Sequence, residues 1–303
     1  MPTNVAEAME TLAGLPQEAA SEGSHPAERP DRLYHFTTCR GLIGVLQGRR
    51  LRASLATSLN DQSEIWYGVQ RARLVLPQLA APAGFRDALA EQIEELTGEA
   101  AAQDARWRVY LVSFCAHADK ATHWLHYGRS GTGVAIGFDA RVLERPHFNL
   151  YPVLYDAEQQ DALLRRTFEG AWKRIEQAVP AQPAREQREF LREAAAAVAP
   201  YLWLVAPRIK SPAFEAEDEW RLIAFEPRHH PPGSMQPLRT YFRTVAGRVV
   251  PYKVVQYEPL PVCDILLGAS APMQPHDQAL AVLAEESTGR RLPITRSEVP
   301  VRQ

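Results

Sequence analysis

Residues 32–54 read RLYHFTTCRGLIGVLQGRRLRAS. Arg32 to Phe36 is a short aromatic, alternating run of the kind a strand requires. Thr38 then supplies a side-chain N-cap for a helix over Arg40 to Gln47, whose apolar residues Leu42, Ile43, Val45 and Leu46 recur at helical spacing. Gly48 offers a helix stop, and Leu51 to Ser54 reads as a second short strand. A strand–helix–strand unit thus opens the fold, with a histidine at the end of its first strand. Alternation separates Tyr34 and Phe36 from Leu33 and His35. If Phe36 points to the core, His35 faces a cleft or solvent; a hydrogen bond to the adjoining turn accounts for the same residue.

Working outward, Ser58-Leu-Asn-Asp61 is turn chemistry, followed by helices through Ile65–Leu74 and Phe85–Leu96. Trp107 to Cys115 (WRVYLVSFC) is a β-branched and aromatic strand. Ala121 to Tyr127 suits one or two helical turns. Gly133 to Phe138 (GVAIGF) has almost no polar residue, so it is expected at the sheet centre, covered on both faces. A strand at Leu150–Tyr155 precedes two long helices, Asp156–Ala178 and Ala184–Leu204, broken at Pro180 and Pro183. The last third is strand-rich: Glu219–Phe225, Thr240–Thr244, Arg248–Gln256, Cys263–Leu267 and Leu292–Thr295, with a hairpin turn at Ala246-Gly247 and a helix over Gln278–Ala284. This irregular order indicates an α+β fold, in one domain over 31–303 with a helical insertion at 156–204.

The 303-residue composition, 46% hydrophobic and 23% charged, is that of a soluble globular protein. The net charge of −2 gives no sign of a polyanion-binding protein, although a basic patch can hide within a neutral total. Cys39, Cys115 and Cys263 are odd in number and widely spaced, which argues against a disulfide framework. No run is long enough for a membrane helix, and a cytoplasmic setting is expected. Residues 1–30 hold five Glu and one Arg with Pro16, Pro26 and Pro30, the composition of a flexible leader dispensable for folding. Neither GxGxxG nor GxxxxGK[ST] occurs.

Three stretches carry candidate chemistry. His35 is the first. The second is Ser113 to Tyr127, where Trp124 and Tyr127 form a possible aromatic wall for a planar ligand, or simply pack beneath GVAIGF. Cys115, His117, His123 and His126 are ligand types that zinc accepts, but their spacing fits no zinc motif, and no structural metal is expected. The third is Lys210 to Arg221 (KSPAFEAEDEWR), whose end, read as a strand, puts Glu217, Glu219 and Arg221 on one face, with Arg221 able to orient Glu219, or else forms a solvated acidic turn.

Taken together, Tyr34-His35-Phe36-Thr37, Ser58-Leu59-Asn60-Asp61, Trp124-Leu-His-Tyr127-Gly128, Gly133–Phe138 and Glu217-Asp-Glu219-Trp-Arg221 resemble the pattern of a bacterial family of domains of unknown function. Asp264-Ile-Leu-Leu-Gly268 and Ser297–Arg302 extend the resemblance over residues 31–302. Gln62 stands where that pattern commonly has proline after Asn-Asp. The opening, Tyr34-His35-Phe36-Thr37 followed by Gly41-Leu42, also resembles the Tyr-His-x-Thr and Gly-Leu start of ADP-ribosyltransferases and of the RNA phosphotransferases that share their fold. That resemblance implies a split mixed sheet with helices packed around it, and NAD as substrate. It implies that His35, with Tyr34 and Thr37, contacts the ribose side of NAD. Trp124 or Tyr127 would hold the nicotinamide. Glu219 or Glu217, oriented by Arg221, would stabilise an oxocarbenium-like ribose. A defence or toxin setting and a protein or nucleic-acid acceptor belong to the same family-level expectation. The rival readings are a non-catalytic nucleotide- or protein-binding module and a metal-dependent hydrolase or nuclease.

Overall fold

A computed structural model describes residues 29–58, 63–97, 107–179, 184–227, 236–245 and 247–299. Expectations for the leader through residue 28, the Leu59-Asn60-Asp61 turn, the break at Pro180 and Pro183, Ala246 of the hairpin turn and the tail from residue 300 lie outside these residues.

The opening unit forms as read: β1 (Arg32–Thr37), α1 (Cys39–Gly48) and β2 (Arg50–Leu55). The Thr38 hydroxyl accepts from the Gly41 backbone N–H at 3.0 Å, supplying the cap. The stop differs from expectation. Arg49, not Gly48, takes the left-handed conformation (φ 46°), and its N–H donates to the carbonyls of Leu46 and Val45. Next come α2 (Ser63–Val75), α3 (Ala83–Thr97), β3 (Trp107–Cys115), the six-residue α4 (Ala121–His126), β4 (Val134–Asp139) and β5 (Asn149–Pro152). The helical segment resolves into α5 (Ala157–Ile175), α6 (Ala184–Val198) and the short α7 (Leu202–Val205), with single 3₁₀ turns in between. The C-terminal third supplies β6 (Glu219–Pro227), β7 (Tyr241–Val245), β8 (Arg248–Gln256), β9 (Val262–Leu267), α8 (Gln278–Thr288) and β10 (Ile294–Arg296).

Among the described residues ten strands make one mixed sheet, ordered β10-β9-β4-β1-β3-β2-β8-β7, with β6 on β3 and β5 on β6. β4 is central and buried, as its apolar sequence requires. The decisive feature is β3. Along one edge it pairs with β6 for nine residues, from Trp107↔Pro227 to Cys115↔Glu219. Its other edge is shared: β2 pairs at Tyr110 and Leu111, and β1 pairs at Cys115. The sheet therefore splits between β1 and β2, leaving residues 111–115 as the floor of the gap.

Each face of the sheet has its own core. Tyr110, Val112 and Phe114 of β3 and Trp220 and Leu222 of β6 pack with Leu42 and Leu46 of α1. On the opposite face, Leu111 and Ile223 meet Trp203 of α7. Beyond them a helical core gathers Phe85, Phe168, Trp172 and Phe190 from α3, α5 and α6. No helix among the described residues is long and apolar enough to cross a membrane.

Candidate functional site

The split opens into a cleft of about 1270 Å³, lined by residues of β1, α1, β2, β3, the 207–221 segment and β7. Tyr34, His35, Thr37, Tyr127, Glu217, Glu219 and Arg221 all line it. Trp124 does not. It is fully buried with Ala135 and Leu266, its ring packs edge-on against Phe36, and its indole N–H donates to Asp119 at 2.5 Å. A helix of only six residues turns one position into the core and carries the next exposed ring, Tyr127, at its C-cap. Of the expected aromatic pair, Tyr127, 41% exposed, is the member that reaches the cleft.

His35 sits on the Phe114 side of its strand, with the rings edge to face at 5.9 Å. One ring nitrogen, Nδ1, lies 3.0 Å from the Ser113 carbonyl and so must carry the proton it donates. Burial holds the imidazole pKa below its ordinary value, so the ring is neutral and Nε2 is an acceptor. Thr37 is fixed by close backbone approach: a Cβ at Gly41 would fall 2.0 Å from its hydroxyl oxygen. Only glycine lets the first turn of α1 pass there.

The carboxylate end is a buried ion-pair network. Arg221 grips Glu219 through two bonds of 2.8 Å, Nε to Oε1 and Nη2 to Oε2. Its remaining Nη1 donates to the Pro207 carbonyl at 2.7 Å. Lys210, 3% exposed at its side chain, reaches Glu219 Oε2 at 3.3 Å and also pairs with Glu217. The buried Tyr155 hydroxyl oxygen accepts from the Glu219 backbone N–H at 3.1 Å. Burial alone would raise the Glu219 pKa, but the charges of Arg221 and Lys210 and a hydrogen bond with Ser113 win and hold it at about 2. Glu219 is therefore a carboxylate at every physiological pH.

Glu217 reaches this network differently from the expected strand alternation. It ends a 3₁₀ helix, Pro212–Glu217, and Asp218 turns left-handed (φ 46°) before β6 begins at Glu219. Tyr127 hydrogen-bonds Glu217, and burial together with that carboxylate pushes its phenol far above the ordinary range. His123 adds a tether, with Nε2 3.1 Å from the Glu217 carbonyl. Lys210 opens the third candidate stretch, but sequence reasoning gave it no role; its signal was a lysine just before the Ser-Pro that opens the acidic segment. Cys115 lines the floor, but burial raises its thiol pKa well above the ordinary value, so it is a poor nucleophile. Among the described residues no group of three His, Cys, Asp or Glu side chains is placed to hold a metal ion.

A model of a family described as "protein of unknown function (DUF2971)" matches residues 123–222. That is 100 of the chain's 303 residues, reaching from α4 through the carboxylate end of the cleft but not including His35. No curated protein and no solved structure matches the chain.

Proposed function

We propose that this chain is an ADP-ribosyltransferase-like enzyme that breaks the nicotinamide–ribose bond of NAD, by transfer to an acceptor or by hydrolysis. The observation that carries the reading is the convergence of His35, Tyr127, Glu217 and Glu219 on one cleft at the sheet's split, although 184 positions (219 minus 35) separate the outer two. A cleft of about 1270 Å³ has room for a dinucleotide with an acceptor beside it. In the reaction the N-glycosidic bond breaks with its electron pair going to the nicotinamide nitrogen. The ribose takes up positive charge, and water or an acceptor adds at C1′ and gives up a proton.

Each group has a role in that step. The exposed face of Tyr127 stacks the nicotinamide. Neutral His35 accepts a ribose hydroxyl hydrogen bond at Nε2. Glu219, held ionised, and Glu217 at the lip present negative charge to the oxocarbenium-like ribose, where preorganised charge in a dry site is most effective. A second reading, a nucleotide-binding module without turnover, draws on the matching of two carboxylates by two cations, Lys210 and Arg221, which leaves the network close to neutral. Incubation with NAD and chromatography of free nicotinamide separates the two. Release that falls about 100-fold in Glu217→Gln or Glu219→Gln supports the enzyme. NAD binding without release supports the module, and neither binding nor release refutes both.

A further inference from the structure

We infer that the cleft continues into a binding strip for a single-stranded nucleic acid. The strip stands on its own observations; its role as acceptor site rests on the transferase reading above.

The charge distribution points there first. The chain's net charge is −2, yet residues 32–58 hold five Arg and residues 236–256 hold three Arg and one Lys, with no Asp or Glu in either segment. These two segments meet in the sheet, where β2 pairs β8 and β8 pairs β7. Arg32, Arg49 and Lys253 are matched by Asp264, Glu258 and Glu226. Arg40, Arg50, Arg52, Arg239, Arg243 and Arg248 form no ion pair among the described residues.

Their placement is ordered. Leu51 and Ala53 point to the core, so Arg50, Arg52 and Ser54 face the other side of β2, toward the cleft. The register puts Tyr252, Tyr241 and Arg243 on that same face. Tyr241 and Tyr252 stack at 5.7 Å with their planes 26° apart. Arg52 lies 5.4 Å over Tyr252, and Arg239 lies 5.1 Å over Tyr241. Arg243 is also turned to Tyr252, at 5.9 Å, and its Nε is buried without a hydrogen-bond partner among the described residues, as is that of Arg50. Burial and the neighbouring charge of Arg52 lower the pKa of Arg243, the mark of cations crowded without anions.

Guanidinium planes alternating with rings offer phosphate donors and base-stacking surfaces in one row, the pattern that tracks an unpaired strand. A duplex hides its base faces, and an acidic peptide would leave the rings unused. A strand running along the row brings a base or sugar to the cleft. There its nitrogen or oxygen forms the new bond to C1′, nicotinamide leaves with the electron pair, and the nucleophile's proton passes to water.

The test uses the full chain and fluorescein-labelled 12-mers, followed by anisotropy without NAD. Binding of single-stranded RNA or DNA is expected, weakening with salt at a log–log slope of about −3 to −4 for roughly five phosphate contacts. The exposed double variant R239A/R248A should bind at least about fivefold more weakly with unchanged thermal midpoint. Duplex, abasic strand and poly-glutamate should bind more weakly than the intact strand. No binding at 50 mM salt, equal binding by the double variant, or equal binding of abasic strand or poly-glutamate overturns the strip. A chain that binds the strand but never releases nicotinamide from NAD, with the strand present, keeps the strip and refutes the transferase.

Discussion

Replacing Glu219 by Gln preserves the size of the side chain and removes its charge, leaving Arg221 and Lys210 buried with one carboxylate fewer. Glutamine imitates the protonated acid, so the pKa gives the cost. A carboxyl whose pKa falls from 4.5 to about 2 on folding contributes about 3 kcal/mol at neutral pH, at ~1.36 kcal/mol per pH unit. Because the group is buried, solvent screening takes little of this away. Removing one partner of a buried pair costs about 3–5 kcal/mol in general, a matching size. The sign fixes the pH dependence. A depressed carboxyl pKa contributes fully above its unfolded value, and that contribution is lost as pH falls from about 4.5 toward 2. Urea unfolding of wild type and Glu219→Gln should differ by about 3 kcal/mol at pH 7, and by roughly half that at pH 3. Turnover should be compared at a temperature where circular dichroism shows both folded. A stability difference below about 1 kcal/mol at pH 7, or one unchanged between pH 6 and pH 3, would refute the buried clamp.

Tyr127→Ala should raise the KM for NAD several-fold by removing the stacking face, whereas Tyr127→Phe keeps it; equal KM values in a nicotinamide-release assay would remove the ring from binding. His35 is held neutral by burial, so its protonation, and any loss of NAD binding with it, should set in only below pH 6.5, as calorimetric titration can check; a midpoint above 6.5 contradicts the geometry. Gly41→Ala forces a methyl against the Thr37 hydroxyl and should lower the thermal midpoint by several degrees, with little change expected for Gly44→Ala, whose Cβ meets open space. Phe168→Ala in the helical core should cost about 3–5 kcal/mol in urea unfolding while leaving the β1–α1 side intact.

Much of this fold was legible because local chemistry and tertiary demand agree. Thr38 caps where a cap was needed, and GVAIGF is buried because nothing in it requires water. Glu217 and Glu219 were paired correctly for the wrong reason: two-residue spacing reads as strand alternation, but a 3₁₀ turn closed by left-handed Asp218 gives the same spacing and the same convergence. Trp124 and Tyr127 share an i, i+3 spacing that suggests one wall, yet a helix this short lets one ring go inward and leaves the other at the end. Lys210 stood in the candidate stretch without a role because its importance comes from two carboxylates that fold back over it. A split sheet was implied by the resemblance alone, since nothing in β3 itself announces that two strands share one of its edges.

That shared edge has a consequence for how the protein is made. Synthesis delivers β1, α1, β2 and β3 first, so the histidine wall and the floor of the gap emerge from the ribosome as a contiguous piece. The opposite wall follows only after the helices of residues 157–205 have been translated, and β6 must then find β3 across that whole interval. Long-range antiparallel closure of this kind is slow compared with helix formation. The cleft is thus one-sided until Glu219 and Arg221 dock, and a nascent or truncated chain ending before them presents the histidine without the carboxylates. Whatever chemistry the cleft performs is withheld until residue 221 has been made and has docked.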